Sequence, residues 1–285
     1  MIGRLVASSR PLSWINTAFP FAAAYVLTTG RIDVALVVGT IFFLVPYNLA
    51  MYGINDVFDY PSDLRNPRKG GVEGALLDPS LHRPTLIASA IACVPFVVAL
   101  VVLGGPASWA VLAVSLLAVV AYSAPPLRTK ERPFLDSMTS STHFVSPAVY
   151  GLVLAGATWT PQLVAILAAF FLWGMASHAF GAVQDVVPDR EAGIASIGTS
   201  LGAARTTRLA IGMWLGAGLL MLLTGWPGVV AAVLAIPYVV AAWPYRSVSD
   251  ADSPRANGGW RWFLALNYGA GFVVTMLCFV YAYGL

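Results

Sequence analysis

Two groups of acidic residues are the part of this sequence best suited to chemistry. On an α-helix, which turns by about 100° per residue, the three aspartates of the first group lie within about 60° of one another. Each group is therefore predicted to form an acidic stripe at the end of a helix, with a proline inside it that kinks or ends that helix. The first acidic group reads Asn55-Asp56-Val-Phe-Asp59-Tyr-Pro61-Ser-Asp63, and the second acidic group reads Asp185-Val-Val-Pro188-Asp189.

Carboxylates this close together repel one another unless cations neutralise them. Aspartate and asparagine oxygens are hard ligands that suit Mg²⁺ or Ca²⁺. Mg²⁺ commonly takes one or two carboxylates and fills its other positions with water and substrate phosphates. The two groups are therefore predicted to hold a diphosphate through metal ions. Basic side chains nearby in the sequence are candidates for direct contact with phosphate oxygens, namely Arg65, Arg68, Lys69, Arg128, Lys130 and Arg190.

The elements that must position these groups are apolar helices. Of the 285 residues, 58% are hydrophobic and 10% are charged, and the mean hydropathy is +0.76, whereas a soluble domain carries about 25% charged residues. Strands of a membrane β-barrel are alternating segments of about ten residues, and the apolar runs here are longer and uniform. The prediction is an all-α polytopic membrane protein, one domain over 1–285, with about nine spans around a central cavity. The spans are 12–29, 33–54, 85–104, 107–123, 137–156, 161–184, 207–225, 228–244 and 262–283.

The charges fall almost entirely on one side of such a protein. Nine spans place the N-terminus and the loops after spans 2, 4, 6 and 8 on one side, and among all lysines and arginines only Arg31 falls on the other. Basic residues favour the cytoplasmic side. The N-terminus and both acidic groups are therefore predicted to be cytoplasmic in a multi-pass cell-membrane protein. The net charge of +3, without a basic run, argues against a nucleic-acid partner.

With these motifs in their order and positions, the sequence resembles the intramembrane prenyltransferases of the UbiA superfamily over nearly the whole chain. The resemblance is carried by the two acidic groups and by the stretch Tyr122-Ser-Ala-Pro-Pro-Leu-Arg128-Thr-Lys130. Within the superfamily, further segments are similar to those of actinobacterial lycopene elongases, which act in C50 carotenoid synthesis. These segments are 9–18, 46–59, 65–75 and 140–144.

The resemblance implies a reaction and a role for each site residue. Mg²⁺ would bind dimethylallyl diphosphate, and departure of the diphosphate would leave an allylic cation. The terminal double bond of lycopene, entering from the lipid bilayer, would attack that cation and extend C40 to C45 and C50. A downstream carotenoid cyclase is a candidate partner. The implied metal ligands are Asp56, Asp59, Asp63, Asp185 and Asp189; the implied diphosphate contacts are Asn55, Arg65, Arg68, Lys69, Tyr122, Arg128, Lys130 and Arg190; the cavity candidates are Asn16 and Asn48.

Two other functions remain open from the residues. The same chemistry could use another acceptor, such as a quinone precursor, a chlorophyll precursor or a glycerol ether lipid. The acidic site could instead belong to a cation-coupled transporter, although transporter sites lie near the membrane midplane, often at broken helices. Acidic groups at one membrane face, beside basic residues, favour an enzyme.

Overall fold

The computed structural model describes residues 2–64 and 76–285, and the secondary structure within these ranges is helical. The chain divides into two compact units. The first unit contains residues 1–129 and 142–157, and the second contains 130–141 and 158–285. One long helix contributes to both, because the boundary follows Ser141. The single domain over 1–285 stays a prediction.

In the described residues of the first unit there are seven helices and part of an eighth. An apolar helix satisfies its backbone hydrogen bonds internally, which is why these runs adopt this form. A proline begins α4 and α7, where its missing N–H costs no hydrogen bond. The helices are α1 (Ile2–Ser8), α2 (Ile15–Thr29), α3 (Val34–Leu44), α4 (Pro46–Phe58), α5 (Tyr60–Asp63), α6 (His82–Leu103), α7 (Pro106–Ser123) and, shared with the second unit, α8 (Leu135–Leu154).

The second unit contains the start of α8 and six further helices. Pro161 begins α9, and Thr160 caps it by accepting a hydrogen bond from the Leu163 N–H. Short 3₁₀ segments flank α13 on both sides. The helices are α9 (Pro161–Val183), α10 (Val186–Glu191), α11 (Ile197–Leu201), α12 (Ala203–Met221), α13 (Ala235–Ala242) and α14 (Asn257–Tyr283).

The nine predicted spans all lie on helical segments. By length and composition, seven of the described helical stretches could cross a membrane. The two others are α2, which has 15 residues, and α8, which carries Asp136, His143 and several hydroxyl side chains. The prediction of an all-α membrane protein is confirmed. The count differs because α2 is shorter and α8 is more polar than an ordinary span. The central cavity stays a prediction.

Aromatic side chains fill the core of the first unit. Phe21, Phe42, Phe43 and Tyr47 are fully buried, and the rings of Phe42 and Phe43 pack edge to face with centroids 4.9 Å apart. Offset and edge-to-face pairs of this kind add to the gain from burial. The α3 backbone approaches Phe21 at Gly39, where a side chain would collide with the ring.

A second aromatic cluster forms the core of the second unit. The ring of Trp214 on α12 stacks against that of Tyr238 on α13, with centroids 5.6 Å apart. Phe263 of α14 contacts both rings, and Phe180 of α9 packs edge to face against Trp214. These contacts hold α9 against α12, and the second acidic group follows directly after α9 in the chain.

Replacing Gly39 by alanine is expected to destabilise the protein by about 1–3 kcal/mol, as overpacking of a core does. A Cβ there would lie 2.1 Å from Cζ of the buried Phe21 ring. Gly212→Ala on α12 is the matched control, since nothing lies within 4 Å of its Cβ position, and it is expected to be neutral or stabilising by up to about 1 kcal/mol. Thermal unfolding in detergent measures both. Equal stability of the two variants would contradict the packing described for Gly39.

Candidate active site

The three aspartates of the first acidic group are buried, with exposed fractions of 1% for Asp56, 5% for Asp59 and 7% for Asp63. Helix α4 ends at Phe58, and α5 begins at Tyr60. The helical direction is nevertheless continued, because the Asp63 N–H donates to the Asp59 carbonyl at 2.8 Å. The predicted interruption near Pro61 is confirmed, and the acidic stripe spans it.

Asp56 is bonded to the N-terminal segment. Its carboxylate accepts hydrogen bonds from Ser8 Oγ at 2.7 Å and from Arg10 Nη2 at 3.0 Å. The guanidinium of Arg10 also stacks over the ring of Tyr52, 4.3 Å from its centroid. Sequence reasoning gave Ser8 and Arg10 no role in the site. The signal that could have found Arg10 is its place in the resembling segment 9–18.

Asn55 connects the first acidic group to the end of α7. Its amide nitrogen donates to Asp59 Oδ2 at 2.5 Å and to Ser123 Oγ at 3.0 Å. Ser123 follows Tyr122, whose ring packs edge to face against the imidazole of His143 with centroids 5.3 Å apart. The structure therefore brings Asn55 and Asp59 together and places the Tyr122 segment beside them.

Arg128 reaches the same place from the loop after α7. Its Nη1 donates to the Phe58 carbonyl at 3.4 Å, at the C-terminal end of α4 and one residue before Asp59. A cation is favoured there, since the helix dipole is negative at its C-terminus. The contact of Arg128 with diphosphate stays a prediction. Arg65, Arg68 and Lys69 lie outside the described residues.

The second acidic group follows α9 in the second unit. Helix α9 ends at Val183, and the short helix α10 follows with Asp185 in its N-cap position. The Asp189 N–H donates to the Asp185 carbonyl at 2.9 Å, so the two aspartates stand one turn apart. Both are half-buried. The predicted spacing and the interruption near Pro188 are confirmed.

Arg190 is engaged by other residues of the second unit. Its guanidinium donates to Asp250 Oδ2 at 2.6 Å and to the Thr199 carbonyl at 3.0 Å. Asp250 also accepts from the Ala203 N–H at 2.7 Å. The backbone N–H of Ala203 and then the Arg190 side chain hold the pKa of Asp250 below its usual value. Arg190 thus joins α10 to the loop before α14, and its diphosphate contact stays a prediction.

Lys130 and Asn16 are both accessible to solvent, to different degrees. Lys130 is half-buried in the 3₁₀ turn Thr129–Glu131, and Asn16 is exposed in the first turn of α2. Asn48 of α4 is fully buried, and its amide nitrogen donates to Thr17 Oγ1 of α2 at 2.7 Å and to the Phe43 carbonyl. Asn48 therefore binds a neighbouring helix. Its role in a cavity, like that of Asn16, stays a prediction.

Sequence reasoning missed one buried acid. Asp136, at the start of α8, has an exposed fraction of 0% and accepts a hydrogen bond from the Ile197 N–H at 2.6 Å. The predicted span began at 137, which left Asp136 in a loop. An acid directly before a helix rich in hydroxyl residues is the signal that could have found it.

The carboxylate and amide oxygens of both acidic groups suit a hard cation whose other ligands come from a substrate. Within residues 2–64 and 76–285, no three His, Cys, Asp or Glu side chains converge as a complete metal site. A protein cage is not what Mg²⁺ requires, because it usually takes one or two carboxylates and completes its shell with water and phosphate oxygens. Oxygen-only donors, buried in the first group, fit that arrangement.

The fold and these groups define an all-helical, multi-pass membrane protein with acidic residues at the ends of two long helices. The sequence matches the UbiA prenyltransferase family over residues 17–268. The chain belongs to that family, and it is a prenyltransferase.

Relatives of known description cover nearly the whole chain. A C50 β-cyclic carotenoid biosynthesis protein of Dietzia sp. strain CQ4 is 56% identical over 97% of this chain, which spans 64% of that protein. A lycopene elongase/hydratase of Corynebacterium glutamicum is 51% identical over 96% of this chain and 95% of its own length. A lycopene elongase/hydratase of Halobacterium salinarum is 34% identical over 97% of both.

Solved structures share the fold. A UbiA homologue from Archaeoglobus fulgidus bound to dimethylallyl diphosphate and Mg²⁺ superposes with a TM-score of 0.67 at 19% identity, over 93% of this chain and 98% of that one. The apo UbiA homologue from Aeropyrum pernix gives a TM-score of 0.65 at 20% identity, over 92% and 98%.

Replacing Arg10 by methionine is expected to lower the free energy of unfolding by about 2 kcal/mol, because it removes the arginine partner of a buried carboxylate. The matched control is Arg190→Met. Its ion pair with Asp250 has side chains 45% and 39% exposed, so a loss below about 1 kcal/mol is expected. Denaturation in detergent measures both. Equal losses would contradict the anchoring of Asp56 by Arg10.

Proposed function

We propose that this enzyme transfers the prenyl group of dimethylallyl diphosphate to the ends of lycopene. The observation that carries this proposal is the 51% identity to a lycopene elongase/hydratase over 96% of this chain. The acceptor, the donor and the mechanism are all parts of the proposal. The fold neighbour that binds dimethylallyl diphosphate and Mg²⁺ supports the choice of donor.

The diphosphate binds at the acidic groups through Mg²⁺. Bound there, Mg²⁺ would neutralise the diphosphate and favour its departure. The carboxylates of Asp56, Asp59, Asp63, Asp185 and Asp189 would supply the oxygen ligands. Asn55 donates a 2.5 Å hydrogen bond to Asp59 Oδ2, which helps to fix the orientation of that carboxylate. Preorganised ligands of this kind need little rearrangement when substrate binds.

Asp56 has two tasks in this scheme. It is one of the five proposed metal ligands, and its carboxylate also accepts hydrogen bonds from Ser8 and Arg10. These hydrogen bonds anchor the N-terminal segment beside α4. Arg128, at the carbonyl of Phe58, supplies positive charge near the leaving diphosphate. Tyr122, Lys130 and Arg190 remain candidates for the same task.

At each end of lycopene, the reaction joins one prenyl group by a carbon–carbon bond and then adds one water molecule. The C–O bond of dimethylallyl diphosphate breaks, and both electrons leave with the diphosphate, so that an allylic cation remains. The terminal double bond of lycopene attacks this cation, forming a carbon–carbon bond and moving the positive charge to the lycopene end. Water then adds to that carbon as hydroxyl and releases a proton. Two rounds convert C40 to C45 and C50.

The acceptor enters from the lipid, and the diphosphate enters from the cytoplasm. Lycopene is a hydrocarbon that dissolves in the bilayer, whereas a diphosphate stays in water. This division requires the acidic groups at the cytoplasmic face, as the distribution of lysines and arginines predicts. A quinone precursor, a chlorophyll precursor or a glycerol ether lipid is the alternative acceptor. The cyclase partner stays a prediction.

Expression in a bacterial host that accumulates lycopene is expected to yield new C45 and C50 carotenoids, identified by mass. Asp59→Asn and Asp185→Asn remove a charged oxygen ligand without changing side-chain size, and each is expected to lower the yield by at least about 100-fold.

The control for this experiment is Asp252→Asn, an exposed aspartate outside both groups that accepts a hydrogen bond from Ser249. It is expected to retain full activity. If lycopene stays unchanged although the protein is membrane-inserted and donor is supplied, the carotenoid assignment is wrong, and the search moves to the other acceptors.

Chelation of divalent cations is expected to stop diphosphate release by the purified enzyme, and added Mg²⁺ is expected to restore it. The reason is that crowded carboxylates bind a diphosphate only when cations offset their charge. Release is measured with dimethylallyl diphosphate and lycopene in vesicles. Movement of a solute across sealed vesicles, without any diphosphate release, would favour the transporter alternative.

A further inference from the structure

A buried carboxylate of the second unit lies outside the set of residues used above. Asp136 Oδ2 accepts a hydrogen bond from the Ile197 N–H at 2.6 Å, and its Oδ1 accepts from the Ser137 N–H at 2.6 Å. A carboxylate without exposure is costly unless donors surround it. The N–H of Ile197 is in turn one of the four that a helix leaves unpaired at its start. Asp136 therefore fixes the beginning of α11.

The segment that Asp136 fixes returns to the second acidic group. The Ile194 N–H donates to the Asp189 carbonyl at 2.8 Å, and Ser196 Oγ lies 3.5 Å from Asp189 Oδ2. Ser196 also caps α11 by accepting from the Thr199 N–H. The short segment 194–197 is thus bonded to Asp189 through Ile194 and Ser196 and to Asp136 through Ile197.

The neighbouring residue reaches the helix that leads into the second acidic group. Ser137 Oγ and His178 Nδ1 are 3.1 Å apart, within hydrogen-bond distance. His178 lies on α9, five residues before the end of that helix at Val183, and Asp185 is the N-cap residue of the next helix. Ser137 therefore contacts the element before the group, while Asp136 contacts the element after it.

We propose that Asp136 and Ser137 are positioning residues that hold the second acidic group in its ligand-binding geometry from both sides. The inference rests on the proposed function, because it takes Asp185 and Asp189 to be ligands of the Mg²⁺ that carries the diphosphate. Neither Asp136 nor Ser137 needs to touch the substrate. Outer residues that orient metal ligands commonly change metal affinity by about 10- to 100-fold when they are replaced.

The substitutions follow from the contacts. Asp136→Asn keeps the size of the side chain but replaces one acceptor oxygen by an N–H₂ group, which cannot accept from a backbone N–H. Ser137→Ala removes the contact to His178 and the 3.3 Å hydrogen bond from Ser137 Oγ to Asp136 Oδ1, but it keeps the backbone N–H that donates to Asp136. The matched control is Ser177→Ala, a buried serine on α9 whose Oγ bonds only the Trp173 carbonyl of its own helix among the contacts of the described residues.

The test measures Mn²⁺ binding to the full-length purified protein by electron paramagnetic resonance, in the presence of inorganic diphosphate. Asp136→Asn is expected to weaken Mn²⁺ binding by about tenfold or more, Ser137→Ala by a smaller factor, and Ser177→Ala not at all. Hydrogen exchange of the backbone in 192–201, measured without metal, is expected to be faster in Asp136→Asn only.

Each outcome decides the proposal. Unchanged Mn²⁺ affinity in both Asp136→Asn and Ser137→Ala would overturn it, as would an equal loss in Ser177→Ala. If Asp136→Asn does not fold, the comparison of Ser137→Ala with Ser177→Ala decides. If the unaltered protein binds no Mn²⁺ with diphosphate, the proposed function itself fails and this inference falls with it. The two failures are therefore distinguishable.

Discussion

A carboxylate buried among apolar helices is stable only when hydrogen-bond donors or cations surround it, and the acidic residues of both units satisfy this constraint. Asp56 accepts from Ser8 and Arg10, Asp59 from Asn55, and Asp136 from the Ile197 N–H. The donors to Asp56, and the Ile197 N–H that donates to Asp136, come from distant parts of the chain. The acids are therefore also the points at which distant parts of each unit are joined, and the chemistry of the site cannot be separated from the assembly of the fold.

The two acidic groups share a second constraint, which is that each lies at the C-terminal end of a helix, α4 or α9. That end carries partial negative charge from its unpaired carbonyls, so aspartates placed there add to an unfavourable potential. Cations lower it, and Arg128 at the Phe58 carbonyl is one that the protein itself provides. Clustered acids at such a position are consistent with a protein whose substrate brings the metal cations that neutralise them.

Much of the fold follows from the sequence, because hydropathy and the backbone hydrogen bonds of a membrane helix leave few choices. All nine apolar segments are helical, and both proline interruptions lie where the spacing predicted them. The polarity of α8 was underestimated, since a window that begins at 137 omits Asp136. The contact of Arg10 with Asp56 joins residues 46 positions apart, and no local pattern reports such a pair. Helix geometry predicts which side chains share a face, but not which distant donor each of them finds.

Asp56 and Asp136, the two most deeply buried acids of the described residues, differ in whether their distant hydrogen-bond donors are synthesised before or after them. Translation runs from the N-terminus, so Ser8 and Arg10 have already been made when Asp56 leaves the ribosome. Both hydrogen-bond donors to this carboxylate therefore exist before it does. Asp136 is made 61 residues before the Ile197 N–H that it accepts from. Until α9 and α10 have been made, the Ser137 N–H is the donor that Asp136 has from its own helix. The second unit can therefore complete the surroundings of Asp136 only after the chain has been translated as far as Ile197.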